Sequence, residues 1–170
     1  MVIYWTFLQY RKWPVFIACT DWGLCRLDLH SSVDDSLRQI KQKFSGCTVT
    51  ESRKKLQPYI KEVKQYLDGE RTGFTVPLHL TGTAFQKAVW RELFRIPYGR
   101  VCSYSQLALQ MKRPEAVRAV AAAIGKNPVL IVIPCHRVIG KNGKLTGYRG
   151  GLETKKKLLL LEKAEIGSSP

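Results

Sequence analysis

A cysteine and a histidine stand side by side in Ile133-Pro134-Cys135-His136-Arg137-Val138, at the end of the apolar run Val129–Ile133. A thiolate is a strong, soft nucleophile. A neighbouring imidazole can take the thiol proton directly or through one water, and the ion pair that results lowers the thiol pKa. Pro134 fixes the backbone just before the thiol and offers no N–H. A bare Cys-His pair is more often a buried structural cysteine beside a surface histidine. Here the apolar lead-in, the proline and the following Arg137 point to a nucleophile held at the rim of a pocket. Such a pair needs a third member to orient the imidazole. Glu162, late in a helical segment beside Leu158–Leu161, is the candidate. A plain surface acid is the alternative, and spacing does not separate the two.

The segments that must position these residues are sharply punctuated. Thr83-Ala84-Phe85-Gln86 and Ser103-Tyr104-Ser105-Gln106 both read as capping boxes that open helices. Ile96-Pro97-Tyr98-Gly99 stops the first helix, and the second runs to about Met111. Lys112-Arg113-Pro114 is a turn, and Pro114 suits the start of a helix over Glu115–Lys126. Helix, tight turn, helix is a helix-turn-helix pattern, with Arg118 projecting from the second helix. Many helical hairpins bind nothing. The alanines of the second helix (Ala116, Ala119, Ala121, Ala122, Ala123) strengthen the reading, because a narrow minor groove excludes bulk. Close packing in a core is their other use. Lys155, Lys156 and Lys157 are placed either to reach phosphates or to form a solvated face.

Upstream, Val15–Cys19 and Leu24–Leu29 flank a hairpin-like turn at Asp21-Trp22-Gly23. Helical periodicity follows over Asp34–Phe44 and again through Leu56, Ile60, Val63 and Leu67, ending at Gly69. This is a small α/β unit without evident chemistry. The Gly- and Thr-rich stretch Asp68–Thr83 divides the chain into 1–77 and 78–170, giving a mixed α+β protein with a mainly helical C-terminal part.

The 28 Lys and Arg against 13 Asp and Glu give a formal charge of +15 in 170 residues. That imbalance points to a polyanionic partner. The apolar runs fall far below the ~18 residues that a membrane span needs, and the N-terminus lacks a secretory pattern. Five cysteines without paired spacing read as free thiols in a reducing compartment, which predicts a cytoplasmic protein, or a nuclear one in a eukaryote. Cys19, Cys25, His30 and His79 could be offered to zinc, but they lack a C-x-x-C pair. They read as core cysteines and surface histidines, so no metal or other cofactor is expected.

Together these residues resemble the O6-alkylguanine-DNA alkyltransferase family. The matching segments are Phe85–Trp90, Tyr98 through Ala108, Pro114 with Arg118-Ala119-Val120, Asn127-Pro128, Ile133–Val138, and Tyr148 with Gly150-Gly151-Leu152. The N-terminal half matches only in size and position, and the resemblance implies a ribonuclease H-like fold for it. It implies that the chain, as a monomer, binds double-stranded DNA through the minor groove and flips the damaged guanine out of the stack. Cys135 would accept the alkyl group in one irreversible displacement. His136 would be the base, Glu162 would orient it, and Tyr104 would donate to the leaving purine. Arg118 would fill the gap left by the base, and Asn127 would order the turn before the active-site loop. Ser103, Ala119 and Arg137 would meet the DNA, while Tyr148, Arg149 and Val138 would line the pocket.

Three positions depart from the pattern. Lys112 stands where many members have Gly between the two helices, so the turn there is expected to be reshaped or strained. Arg149 follows Tyr148 where some members have Ser, and Leu130 replaces a Pro of the pocket wall. These bear on the choice of alkyl group. A helix-turn-helix regulator that uses Cys135 as an alkylation or redox sensor is the competing reading. A cysteine hydrolase built on Cys135, His136 and Glu162 ranks lower, since +15 suits an acyl substrate poorly.

Overall fold

The first strand, β1 (Val2–Tyr10), is apolar at nearly every position because both of its faces are covered. The computed structural model describes residues 1–166. These fall into two units, Met1–Thr81 with Pro128–Leu130, and Gly82–Asn127 with the chain from Ile131 onward.

In the first unit, β1 pairs antiparallel with β2 (Trp13–Thr20), which pairs antiparallel with β3 (Gly23–Asp28). After α1 (Val33–Lys43), β4 (Thr48–Glu51) returns parallel to β1, so the order is β3-β2-β1-β4. Successive side chains of a strand alternate between faces. Ile3 joins Phe16, Ala18, Cys25, Ile40 and Phe44 in the core under α1. On the other face, the Tyr10 hydroxyl donates to Asp68 at the end of α2 (Gln57–Leu67), and the Lys64 ammonium lies 5.0 Å from the Tyr10 ring.

The outer edge of β3 is closed by two short bridges. Leu24 exchanges backbone bonds with Pro77 and His79, and Leu27 does so with Pro128 and Leu130. Gly23 is needed there: a Cβ would sit 2.6 Å from the Pro77 carbonyl oxygen. The hairpin turn and both helices follow the sequence reading; β1 and β4 do not figure in it. Cys19 and Cys25 are buried, and His79 Nδ1 lies 2.9 Å from the Thr20 hydroxyl.

The second unit starts with α3 (Ala84–Leu93), capped by Thr83 and Gln86 in a full capping box. The fully buried Trp90 anchors this helix, and its indole N–H donates to the Ala123 carbonyl at 2.9 Å. Removing such a ring costs about 3–5 kcal/mol. A two-residue strand β5 (Cys102–Ser103) leads into α4 (Tyr104–Gln110), again through a capping box, Ser103 with Gln106. A 3₁₀ turn (Pro114–Ala116) precedes α5 (Val117–Gly125), so the predicted single helix is divided at its first turn. Strand β6 (Val138–Ile139) pairs parallel with β5, and α6 (Leu152–Leu161) ends the unit. No helix among the described residues is long and apolar enough to cross a membrane.

The turn between α4 and α5 closes with Lys112 in the left-handed conformation, so the expected strain is present. Lys112 adopts φ 59°, its N–H reaches the Leu109 carbonyl at 2.9 Å, and the Arg113 N–H reaches Ala108 at 2.9 Å. This is a Schellman cap with a non-glycine residue in the left-handed position, which costs roughly 1 kcal/mol. Arg118 and Ala119 are exposed on α5, and Val120 is buried beneath them.

Candidate active site

Cys135, His136 and Arg137 form one turn of 3₁₀ helix, and all three are buried. The apolar run before them is not a strand. Ile131 takes φ 63°, a true outlier for a β-branched residue, and folds the chain back. Asn127, just past the end of α5 and fully buried, holds the result. Its side-chain amide donates to the Ile133 carbonyl at 2.8 Å and to the Cys135 sulfur at 3.1 Å.

Glu162 is the C-cap residue of α6. Lys163 follows at φ 52°, with its N–H on Leu160 and the Ala164 N–H on Leu159, a second Schellman cap. That cap turns the carboxylate inward. His136 Nε2 lies 2.7 Å from Glu162 Oε1. Arg137 grips both carboxylate oxygens, Nη2 to Oε1 and Nε to Oε2 at 2.9 Å each, and its Nη1 donates to the Ile96 carbonyl at 2.7 Å. The Gly99 N–H donates to Oε2 at 3.1 Å. Arg137 is thus buried and committed to Glu162, although its place in the sequence suggested contact with DNA. A guanidinium so placed neutralises a carboxylate that burial would otherwise penalise.

Lys155 is another inward cation. It is fully buried, and its ammonium donates to the carbonyls of Val138 at 2.6 Å, Thr146 at 3.0 Å and Gly147 at 3.3 Å. Burial lowers its pKa to about 8, against a weaker upward pull from Cys135. Lys156 and Lys157 remain exposed. The ammonium ties β6 to the loop that walls a cavity of about 390 Å³. Cys135, Tyr104, Thr146, Gly147, Tyr148 and Arg149 line it, together with Ala121, Ile124 and Gly125 of α5. The Tyr104 hydroxyl donates to the Thr146 carbonyl at 3.0 Å. Val138 is fully buried in β6 and contributes only its carbonyl, to Lys155. Leu130 bonds to Leu27 within the first unit and is not part of the wall.

The electrostatics differ from a resting ion pair. Burial pushes the Cys135 thiol up; the Asn127 hydrogen bond and the charges of Arg149 and Lys155 oppose it. Burial pushes His136 down, against the pull of Glu162. Both effects favour a neutral thiol beside a neutral imidazole, because a dry site penalises every charged form. Burial raises Tyr104 as well, so its hydroxyl stays a donor.

The structure forms two sets of contacts, Asn127 with Cys135 and His136 with Glu162 and Arg137, with Tyr104, Tyr148 and Arg149 around the cavity, while Arg118 and Ala119 stand on the exposed side of α5. Sequence reasoning missed the clamp from Arg137 and the strut from Lys155. One signal was available: Lys155, Leu158, Leu159 and Glu162 recur at the i, i+3, i+4, i+7 spacing of a buried helical stripe.

Fold and site define a class: an α+β chain whose helical unit combines a helix-turn-helix with a buried cysteine-histidine pair. Comparison with known proteins places it further. Residues 3–80 match the ribonuclease-like domain of 6-O-methylguanine DNA methyltransferase, and residues 84–164 match its DNA binding domain. The chain is 50% identical over 162 residues to the inducible methylated-DNA–protein-cysteine methyltransferase of Bacillus subtilis, covering 95% of this chain and 90% of that one. It is 44% identical to the corresponding protein of Mycolicibacterium paratuberculosis over 86% of this chain and 90% of that one. Among solved structures it resembles the Mycobacterium tuberculosis O6-methylguanine methyltransferase, with a TM-score of 0.82, 36% identity, and 98% and 96% of the two chains covered. The same organism's OGT in complex with DNA gives 0.79 at 36% identity, covering 96% and 93%. The chain belongs to the 6-O-methylguanine DNA methyltransferase family.

Proposed function

We propose that this protein repairs DNA by moving the alkyl group of O6-alkylguanine to Cys135, once per molecule. The observation that carries the reading is the Cys135 sulfur, held by Asn127 in the wall of a cavity that Ala121, Ile124 and Gly125 of α5 also line. The substrate is double-stranded DNA, entered from the minor groove by α5, with the damaged base flipped into the cavity. Arg118 fills the vacated stack. Ser103 and Ala119 contact the backbone and groove. The 1–77 part serves as scaffold, the 78–170 part binds DNA and reacts, and the protein works as a cytoplasmic monomer.

Nε2 of His136 engages Glu162, so Nδ1 is the basic nitrogen. It takes the Cys135 proton through one bridging water. The sulfur attacks the alkyl carbon, a C–S bond forms, and the C–O6 bond breaks with its electron pair passing to the purine. Tyr104 turns from Thr146 to the base and offsets that charge, and a proton restores guanine. Arg137 holds Glu162 and so acts as a positioning residue. No group in the cavity is placed to cleave a thioether, which makes the reaction stoichiometric.

Mixing the protein with duplex DNA that carries labelled O6-methylguanine tests this directly. One equivalent of label should appear on Cys135, and none on a Cys135→Ser variant that still binds DNA. Label on another residue, or repeated turnover, refutes the assignment. DNA binding without transfer supports a regulator instead.

A further inference from the structure

Another cavity of the helical unit, of about 450 Å³, is lined by the end of α3, the turn after it, strand β5 and the last residue of α4. It shares no lining residue with the cavity at Cys135, and alkyl transfer makes no use of it. Two of its residues, Arg95 and Arg100, are exposed cations. Among the described residues, Arg95 reaches only Glu92, at 3.5 Å, and the Arg100 guanidinium has no hydrogen bond or ion pair. Ile96, Pro97 and Val101 add an apolar wall. The Cys102 thiol brings no charge, because burial, with Glu92 adding to it, pushes it up to about 11. Two open guanidinium forks beside an apolar wall suit a phosphate joined to a flat ring. A phosphate monoester offers oxygens to both forks, where a carboxylate fills one. Glu92 accepts hydrogen bonds and donates none, so it suits a ring edge that carries N–H groups.

We propose that this cavity binds a nucleoside monophosphate whose base carries an amino group, with the phosphate on Arg95 and Arg100, the base against Ile96, Pro97 and Val101, and the amino group on Glu92. The cavity has the size of a small-molecule site. Its wall also supports the reacting centre. The Ile96 carbonyl accepts from Arg137, and the Gly99 N–H donates to Glu162. A ligand held by Ile96 and Arg100 fixes the turn between them, so occupancy stabilises the fold around Glu162.

Calorimetric titration of the whole protein with deoxyadenosine monophosphate, deoxyadenosine and inorganic phosphate tests the site. Adenine is the base of choice because the Cys135 cavity is read as a guanine site. One equivalent of the monophosphate should bind, with the nucleoside and the free phosphate each about tenfold weaker or more. Arg100→Ser and Arg95→Ser should each weaken the monophosphate about tenfold and remove the rise in melting temperature that it gives the wild-type protein. Both side chains are exposed, so each variant should melt like the wild type when no ligand is added, which reports that it folds. Equal affinity in all three proteins overturns the proposal, and so does a wild-type protein that binds nothing at millimolar monophosphate. Displacement of the monophosphate by undamaged duplex DNA overturns it as well, since the two arginines would then belong to the DNA-binding surface.

Discussion

Replacing Glu162 by Gln tests whether the buried carboxylate holds the site together. Oε1 accepts from His136 and Arg137; Oε2 accepts from Arg137 and Gly99. An amide supplies one acceptor oxygen and one NH₂ group. Whichever way it is set, its NH₂ faces two donors. Each buried donor left unsatisfied costs about 1–3 kcal/mol, and breaking a buried ion pair from one side costs about 3–5 kcal/mol. The two descriptions overlap, so a total of about 4 kcal/mol is expected. At roughly 2–4 °C per kcal/mol for a chain of this size, the melting temperature should fall by about 10 °C. Activity should fall separately. Glu162 is what opposes the burial that lowers His136, so without it the imidazole becomes a weaker base, and transfer should slow by ~10²-fold or more. Thermal melts by circular dichroism, and single-turnover transfer well below the lower melting point, give the two numbers. Adding Arg137→Met should recover part of the lost stability, because the uncompensated cation is then gone. A melting point within 1 °C of wild type together with an unchanged rate would refute the whole account of the network.

Arg118→Ala should slow repair of duplex DNA by about tenfold or more while leaving reaction with the free base nearly unchanged, since only the duplex needs the gap filled; equal losses refute that role. DNA affinity should fall steeply with salt, with a slope of roughly −0.9 per phosphate contact and little sequence preference, as filter binding over a salt series would show. Lys155 binds its proton less tightly when folded, with a pKa of about 8 against 10.5 for the free side chain, so its penalty is full below pH 8 and is relieved as pH rises toward 10.5. Wild-type stability should therefore gain up to ~3 kcal/mol over that window relative to Lys155→Met, and parallel pH profiles from denaturant unfolding would refute it.

The helical unit was legible because its punctuation is chemical. Two capping boxes, Pro114 and the Gly99 turn each leave a local signature, and the structure uses every one. β1 lacked the alternation of a half-buried strand, because α1 and α2 cover its two faces, and β4 is a short, mostly exposed edge. One helix end was harder to place. Gly69 announces the cap of α2, and the turn at Lys112 follows the sequence reading, but Lys163 occupies the same left-handed position without a glycine to mark it. Lys163 matters most, since that cap aims Glu162. Arg137 and Lys155 were read outward because long cations usually are. Only three-dimensional proximity to Glu162 and to three loop carbonyls turns them inward.

These inward cations explain how a neutral resting site can still react. Burial keeps both Cys135 and His136 uncharged, so the protein stores no thiolate exposed to stray electrophiles or oxidants. What it stores is a set of fixed dipoles and charges around the sulfur: the Asn127 amide, Arg149, and Lys155 held by three carbonyls. They need not reorganise when the proton leaves, and each favours the thiolate at that moment. Glu162 does the same for the imidazolium that forms, against the charges of Arg137 and Lys155. A molecule that reacts once gains from this arrangement. On the proposed reading, burial keeps the Cys135 thiol neutral until alkyl transfer draws its proton to His136.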